Sequence, residues 1–166
     1  FRNAEFDCCE LSFSSHMRVT SQNKADYVGI PAFVSRVFRH SGFYIRTDRG
    51  ITKPDDLRGK LVGLPEYQMT APVWMRGILE DEFGIKPEEI RWRSGGQEEA
   101  GRDERTPFEA PPGLDLQAIP QDRTLVEMFE AGELDALMTA RPPSSFELGK
   151  PNTDEPWPNF RGAEKE

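Results

Sequence analysis

The chain has 166 residues, a formal net charge of -8 and a pI near 4.9, with 36% hydrophobic and 30% charged residues. That length accommodates one ordinary domain or two small lobes, and the acidity argues against nucleic acid and against anionic membrane surfaces as partners. No apolar run approaches the roughly 20 residues of a membrane span, and the adjacent Cys8 and Cys9 with only two histidines provide neither a disulfide framework nor a metal motif, so no metal and no cofactor are expected.

In chain order, Phe6 to Leu11 reads as a strand with Cys8 and Cys9 as small core residues, and Ser12 to Gln22 as a short mixed helix. Tyr27 to Ala32 is an apolar strand, followed by the loop Ser35-Arg-Val-Phe-Arg-His-Ser41. Gly42 to Arg46 is a third strand, Asp48 to Lys53 a turn, and Pro54 to Leu57 a single helical turn that starts on its proline and stops at Gly59. Leu61 to Leu64 is a strand and Thr70 to Phe83 a helix. On that helix Ala71, Trp74, Met75, Ile78, Leu79 and Phe83 share one face, with Gly84 at the C′ position. Arg76 falls on the opposite side and is expected in solvent, whereas Trp74 and Trp92 are expected in the core.

Ile90 to Trp92 is a short strand, and Ser94 to Gly113 a long surface loop rich in glycine, proline and charge. Leu116 to Ile119 is a strand, and Thr124 to Ala131 a helix that buries Leu125, Met128 and Phe129. Gly132 to Met138 turns into a last strand, and the segment from Pro142 reads as a linker. Strands alternating with helices define an α/β architecture.

The pattern with chemical content runs from Val62 to Leu79. A short strand ends in a polar loop that delivers Thr70 as N-cap and Pro72 to the first turn of a helix. Backbone N–H groups at such a start favour an anion, and the backbone of Ala71 joins Thr70 as a contact. Tyr67 and Gln68 on the approach loop are placed to line a cleft. Arg36 and Arg39 offer planar forks that match carboxylates, and His40 offers a proton near neutral pH. Glu10, Ser12 and Ser14 follow a strand end, where α/β proteins place ligand contacts. The plainer alternatives are a solvated basic loop for Arg36 to His40 and simple capping for Thr70. There is no G-x-S-x-G, and Gly95-Gly96 lacks the Lys-Ser/Thr of a phosphate loop. Together these features suggest a small carboxylate ligand.

The segment Ile51-Thr-Lys-Pro-Asp-Asp-Leu-Arg-Gly-Lys-Leu-Val-Gly63 is similar to the stretch that leads into the second lobe of periplasmic-binding-protein folds. Several segments resemble the 4,5-dihydroxyphthalate decarboxylase family more specifically. They are Glu10-Leu-Ser12, Ile30-Pro-Ala-Phe-Val-Ser-Arg-Val-Phe-Arg-His40, Val62-Gly-Leu-Pro-Glu-Tyr-Gln-Met-Thr-Ala71, Trp74-Met-Arg-Gly-Ile-Leu79 and Gly132-Glu-Leu-Asp-Ala-Leu137. The resemblance implies a bilobed periplasmic-binding-protein type 2-like α/β fold, each lobe a helix-flanked mixed sheet. Residues 1–48 would then be part of an incomplete lobe one, 49–141 lobe two, and 142–166 a linker returning toward lobe one. The family's chain is longer at both ends, so a partial chain is expected. The implied reaction removes one carboxylate from a dihydroxylated aromatic dicarboxylate, giving a dihydroxybenzoate and carbon dioxide in the cytoplasm. Chemistry assigns Arg36 and Arg39 as carboxylate clamps, His40 as proton donor, and Thr70 with Ala71 as the second anion contact. The competing function on the same fold is a periplasmic solute-binding protein that delivers a small organic anion to a transporter. The expected partner is a small aromatic carboxylate, with neither nucleic acid nor membrane, and the sequence is compatible with a homo-oligomer.

Overall fold

The computed structural model describes residues 5–34, 37–104 and 109–156. Its centre is a six-stranded mixed sheet. In chain order the strands are β1 (Phe43–Arg46), β2 (Leu61–Leu64), β3 (Arg91–Ser94), β4 (Leu116–Ala118), β5 (Ala136–Met138) and β6 (Thr153–Asp154). They lie side by side as β4-β3-β2-β5-β1-β6. β2 pairs in parallel with both β3 and β5, and β3 pairs in parallel with β4. β1 runs antiparallel to β5 and to β6, so one edge of the sheet is antiparallel. The helices are α1 (Phe13–Ser21), α2 (Thr70–Phe83), α3 (Leu125–Glu130) and α4 (Ser144–Glu147).

Alternation along the strands builds a core on each face of the sheet. Phe43, Ile45, Val62, Leu64, Trp92, Ala136 and Met138 point to one side, where Ala71, Met75 and Leu79 of α2 cover them. Tyr44 and Leu137 point to the other side and meet Leu125, Val126, Met128 and Phe129 around α3. α2 ends at Gly84, whose φ of 64° is the left-handed conformation that glycine adopts without strain. α3 starts with a reciprocal cap: Thr124 Oγ1 accepts the Glu127 N–H at 3.1 Å, and the Glu127 carboxylate accepts the Thr124 N–H at 3.0 Å. At its other end, the buried Arg46 guanidinium donates to the carbonyls of Phe129 and Glu130.

Four expectations are corrected. The apolar stretches Phe6 to Leu11 and Tyr27 to Ala32 are not strands; they pair with no strand of the sheet, and Phe6, Val28 and Ile30 stand 63%, 92% and 68% exposed. Local β-propensity forms no ladder without a neighbouring strand. Cys8 is correspondingly exposed and Cys9 half-buried, rather than core. The segment from Pro142 is not a plain linker: it forms α4, and β6 then closes the antiparallel edge beside β1. Trp74 is 58% exposed, while Trp92 is fully buried as expected. No helix among the described residues is long and apolar enough to cross a membrane.

Tyr44 gives this second core a measurable signature. Its ring is 2% exposed and packs on Phe146 with centroids 5.0 Å apart. Burial, reinforced by Glu155 and Glu147, pushes its phenol up to about 12 from 10.0. A raised folded pKa means that the folded state holds the proton more tightly, so stability is intact below pH 10 and falls as pH rises toward 12. Urea denaturation should show a loss of up to roughly 3 kcal/mol across that window. Tyr44→Phe should lessen the loss without abolishing it, because burial also raises the Tyr67 phenol. An unchanged alkaline profile in the variant would contradict a buried Tyr44.

Candidate functional site

From β2 the chain moves outward to β3 and β4, and it later returns on the other side of β2 as β5. The strand order therefore reverses between β2 and β5, and the crevice at their carboxyl ends is where open α/β sheets place ligands. The loop Pro65 to Met69 leaves β2 at this point and leads directly into α2.

The first turn of α2 differs from the expected cap. Met69, with extended backbone, is the N-cap and makes no side-chain capping bond; Thr70 already lies inside the helix. Its hydroxyl is therefore released for tertiary contacts. Thr70 Oγ1 lies 2.6 Å from Ser12 Oγ and 3.2 Å from Ser14 Oγ, and accepts the Ser14 N–H at 3.3 Å. The Ser14 hydroxyl donates to the Gln68 carbonyl at 2.6 Å, and Arg18 Nη1 donates to Gln68 Oε1 at 2.7 Å. Thus Ser12, Gln68 and Thr70 come together, Ala71 is buried beside them, and Ser14 and Arg18 join. Arg18 was missed by sequence reasoning, although its spacing of four from Ser14 puts both on one face of α1. Glu10 is exposed beyond this cluster.

A second polar cluster lies on the same loop. The Glu104 carboxylate accepts the backbone N–H groups of Tyr67 and Gln68. Burial pushes this carboxyl above the usual carboxylate range, while those backbone donors pull the other way. Arg76 is not in solvent as expected: its guanidinium lies 3.6 Å from the Tyr67 ring centroid and 5.9 Å from that of Trp92, and burial lowers its pKa. Tyr67 itself is 7% exposed, so its ring is packed against Trp92 and does not line an open cleft. Arg76 Nη1, Gln68 Nε2 and Glu104 Oε2 are all buried without a hydrogen-bond partner. Nothing in the sequence marked Glu104, which sits among many charges in a long loop.

The basic loop lies elsewhere. Arg36 is outside the described residues. Arg39 is half-buried, and burial lowers its pKa. His40 is 6% exposed, with Nε2 3.2 Å from Glu82 Oε2. Glu82 is twelve positions beyond Thr70 on α2, which is roughly 18 Å along the axis. A single benzene ring cannot touch both ends, so the structure does not gather His40 and Thr70 into one site. A shallow groove of about 380 Å³ runs between them along Val73, Trp74, Gly77, Ile78, Asp81 and Glu82, and its two carboxylates make it unfavourable for a dianion. Among the described residues, no group of His, Cys, Asp and Glu could hold a metal ion.

The chain is 45% identical over 151 residues to a 4,5-dihydroxyphthalate decarboxylase of Comamonas testosteroni, covering 91% of this chain and 46% of that protein. It is 43% identical over 163 residues to a 4,5-dihydroxyphthalate decarboxylase of Pseudomonas putida, covering 98% of this chain and 63% of that protein. The chain is a homologue of the 4,5-dihydroxyphthalate decarboxylases. It spans roughly half to five-eighths of the length of these decarboxylases. No family model matches the chain. The decarboxylase matches bear out the family resemblance carried by the Glu10–Ser12, Ile30–His40 and Val62–Ala71 segments. The polar clusters at the start of α2 lie on the Val62–Ala71 segment and its immediate contacts.

Proposed function

We propose that the chain belongs to an enzyme that decarboxylates a 4,5-dihydroxyphthalate-like aromatic dicarboxylate to a dihydroxybenzoate and carbon dioxide. The identity of 43–45% to two decarboxylases, over nearly the whole of this chain, carries the reading. No observation favours the solute-binding alternative. The described sheet is read as lobe two of a bilobed periplasmic-binding-protein type 2-like fold. On this reading β1 and β6 belong to the same lobe, so it begins near residue 40 rather than 49 and ends near 154 rather than 141. On this reading the enzyme works in the cytoplasm.

The chemistry needs few groups. The ring hydroxyl para to the leaving carboxylate supplies electrons, and a proton adds to the ring carbon that bears that carboxylate. The carbon–carbon bond then breaks, its electron pair restores aromaticity, and carbon dioxide departs. The protein must hold the substrate still and deliver the proton within hydrogen-bond reach. The start of α2 is suited to holding the substrate, because the backbone of Thr70 and Ala71, the hydroxyls of Ser12, Ser14 and Thr70, and the Arg18 guanidinium converge there. Arg36 and Arg39 are proposed to attract the dianion from the basic loop, not to touch it once it is seated at Thr70. His40 is held by Glu82 at the far end of α2, so a substrate seated at Thr70 must take its proton from another group.

The deciding experiment incubates the chain, together with the full-length gene product, with 4,5-dihydroxyphthalate and follows both products by mass spectrometry. Turnover is expected in the full-length protein. Within it, Arg18→Ala should reduce turnover at least tenfold and His40→Asn should leave most of it. Saturable binding without product would replace the enzyme with a solute-binding protein. Loss of turnover in folded His40→Asn, with Arg18→Ala active, would move the site to the other end of α2.

A further inference from the structure

The unpartnered atoms around Tyr67 point to a second anion contact beside the start of α2. Two successive backbone N–H groups, those of Tyr67 and Gln68, aim at one carboxylate, an arrangement that makes an anion-binding concavity. The occupant is Glu104, from a loop whose neighbouring Gly101, Arg102 and Asp103 are exposed. Next to it stands Arg76, stacked on the Tyr67 ring, with Nη1 buried and unpartnered; Gln68 Nε2 is a third unspent donor. A buried guanidinium donor and a buried carboxylate oxygen left unpaired are both costly. Tethered to its loop, Glu104 accepts the Tyr67 amide on Oε1 and leaves Oε2 without a donor. A free carboxylate has no tether and can turn its second oxygen toward Arg76.

We propose that the Tyr67 and Gln68 amides, with the Arg76 guanidinium, form a carboxylate-binding subsite, and that Glu104 occupies it as an internal stand-in that a ligand carboxylate displaces. The ligand class is a small aromatic acid with two carboxylates, one at this subsite and one at Thr70 and Ala71; its identity, though not the subsite, rests on the proposed function. Displacement of Glu104 frees the loop around it, so ligand binding and loop release are one event.

Phthalate, which lacks the ring hydroxyls that drive carbon dioxide loss, is the probe, and calorimetry on the full chain is the readout. Glu104→Gln removes the competing charge and should bind phthalate at least tenfold more tightly than the unsubstituted chain. Arg76→Ala should weaken binding at least tenfold, and Arg76→Lys less. Exchange of the Glu98 to Asp103 amides should quicken when phthalate is added. Equal or weaker binding by Glu104→Gln, including no binding by either protein, overturns the subsite, and so does unchanged affinity in folded Arg76→Ala. Should Arg76→Ala fail to fold, the Glu104→Gln comparison decides alone. The decarboxylase reading fails separately: opposite shifts in the two variants without product from 4,5-dihydroxyphthalate keep the subsite and remove the enzyme, whereas product without those shifts does the reverse.

Discussion

Replacing Trp92 with alanine is expected to remove about 3–5 kcal/mol of stability, roughly a fifth or more of what a domain ordinarily has. Trp92 is fully buried on β3, with Val62 of β2 on one side and Leu116 of β4 on the other. Its indole N–H donates to the Pro87 carbonyl at 2.8 Å, and the Tyr67 ring meets it edge-on at 5.9 Å. Truncation opens a cavity, strands the Pro87 carbonyl and removes the surface against which Tyr67, and through it Arg76, is held. Trp92→Phe keeps much of the volume but loses the hydrogen bond, and should cost about 1–2 kcal/mol. Urea denaturation followed by far-ultraviolet circular dichroism measures both without relying on the deleted fluorophore. A loss below about 1 kcal/mol in Trp92→Ala would mean that Trp92 is not at the centre of this core.

Thr70→Val should act locally and strongly. α1 has no buried residue, so its place on α2 depends on polar contacts from Ser12, Ser14 and Arg18 to Thr70 and Gln68. Valine keeps the shape of threonine and removes the oxygen at which three of those contacts meet. At about 0.5–1.5 kcal/mol per bond, amide exchange across residues 13–21 should quicken by roughly 10- to 100-fold. Amides of β2, β3 and β5 should be unaffected, because their core lies elsewhere. Thr70→Ser, which restores the oxygen, should return exchange to near its original rate. Unchanged exchange of α1 in Thr70→Val would show that something other than the hydroxyl cluster holds it. The same variant should weaken phthalate binding if the start of α2 is the ligand seat.

Much of the fold was legible because its signals are local. α2 runs from Thr70 to Phe83 as its periodicity and Gly84 indicate, and β1, β2, β4 and β5 fall within or close to their expected spans. Apolar residues in 6–11 and 27–32 carried the same local signal yet formed no strands, because a ladder depends on a partner that no local pattern reports. The proline-containing stretch from 142 to 154 carried a loop signal yet formed α4 and β6, because Phe146 packs against Tyr44 and Thr153 completes the open edge of β1. In the candidate site, Thr70, Gln68 and Ser12 were legible from a helix start and a strand-to-helix loop. Glu104 was not, since nothing local distinguishes one carboxylate of a charged loop from its neighbours.

The pair Trp74 and Arg76 separates the two kinds of information. By itself the sequence determined that α2 would turn the face of Ala71, Met75 and Leu79 to the core, within a wider expected stripe that also held Trp74, Ile78 and Phe83. At about 100° per residue, Trp74 and Arg76 then flank that row at equal angles on opposite shoulders. Apolarity favoured burying the tryptophan, and the structure leaves it exposed and half-buries the arginine instead, with Nη1 out of solvent. Only the tertiary structure decided this, because it brings the loop from β2, the Tyr67 ring and Glu104 over one shoulder and leaves the other open. A shoulder is buried when something covers it, and what covers it comes from residues far along the chain.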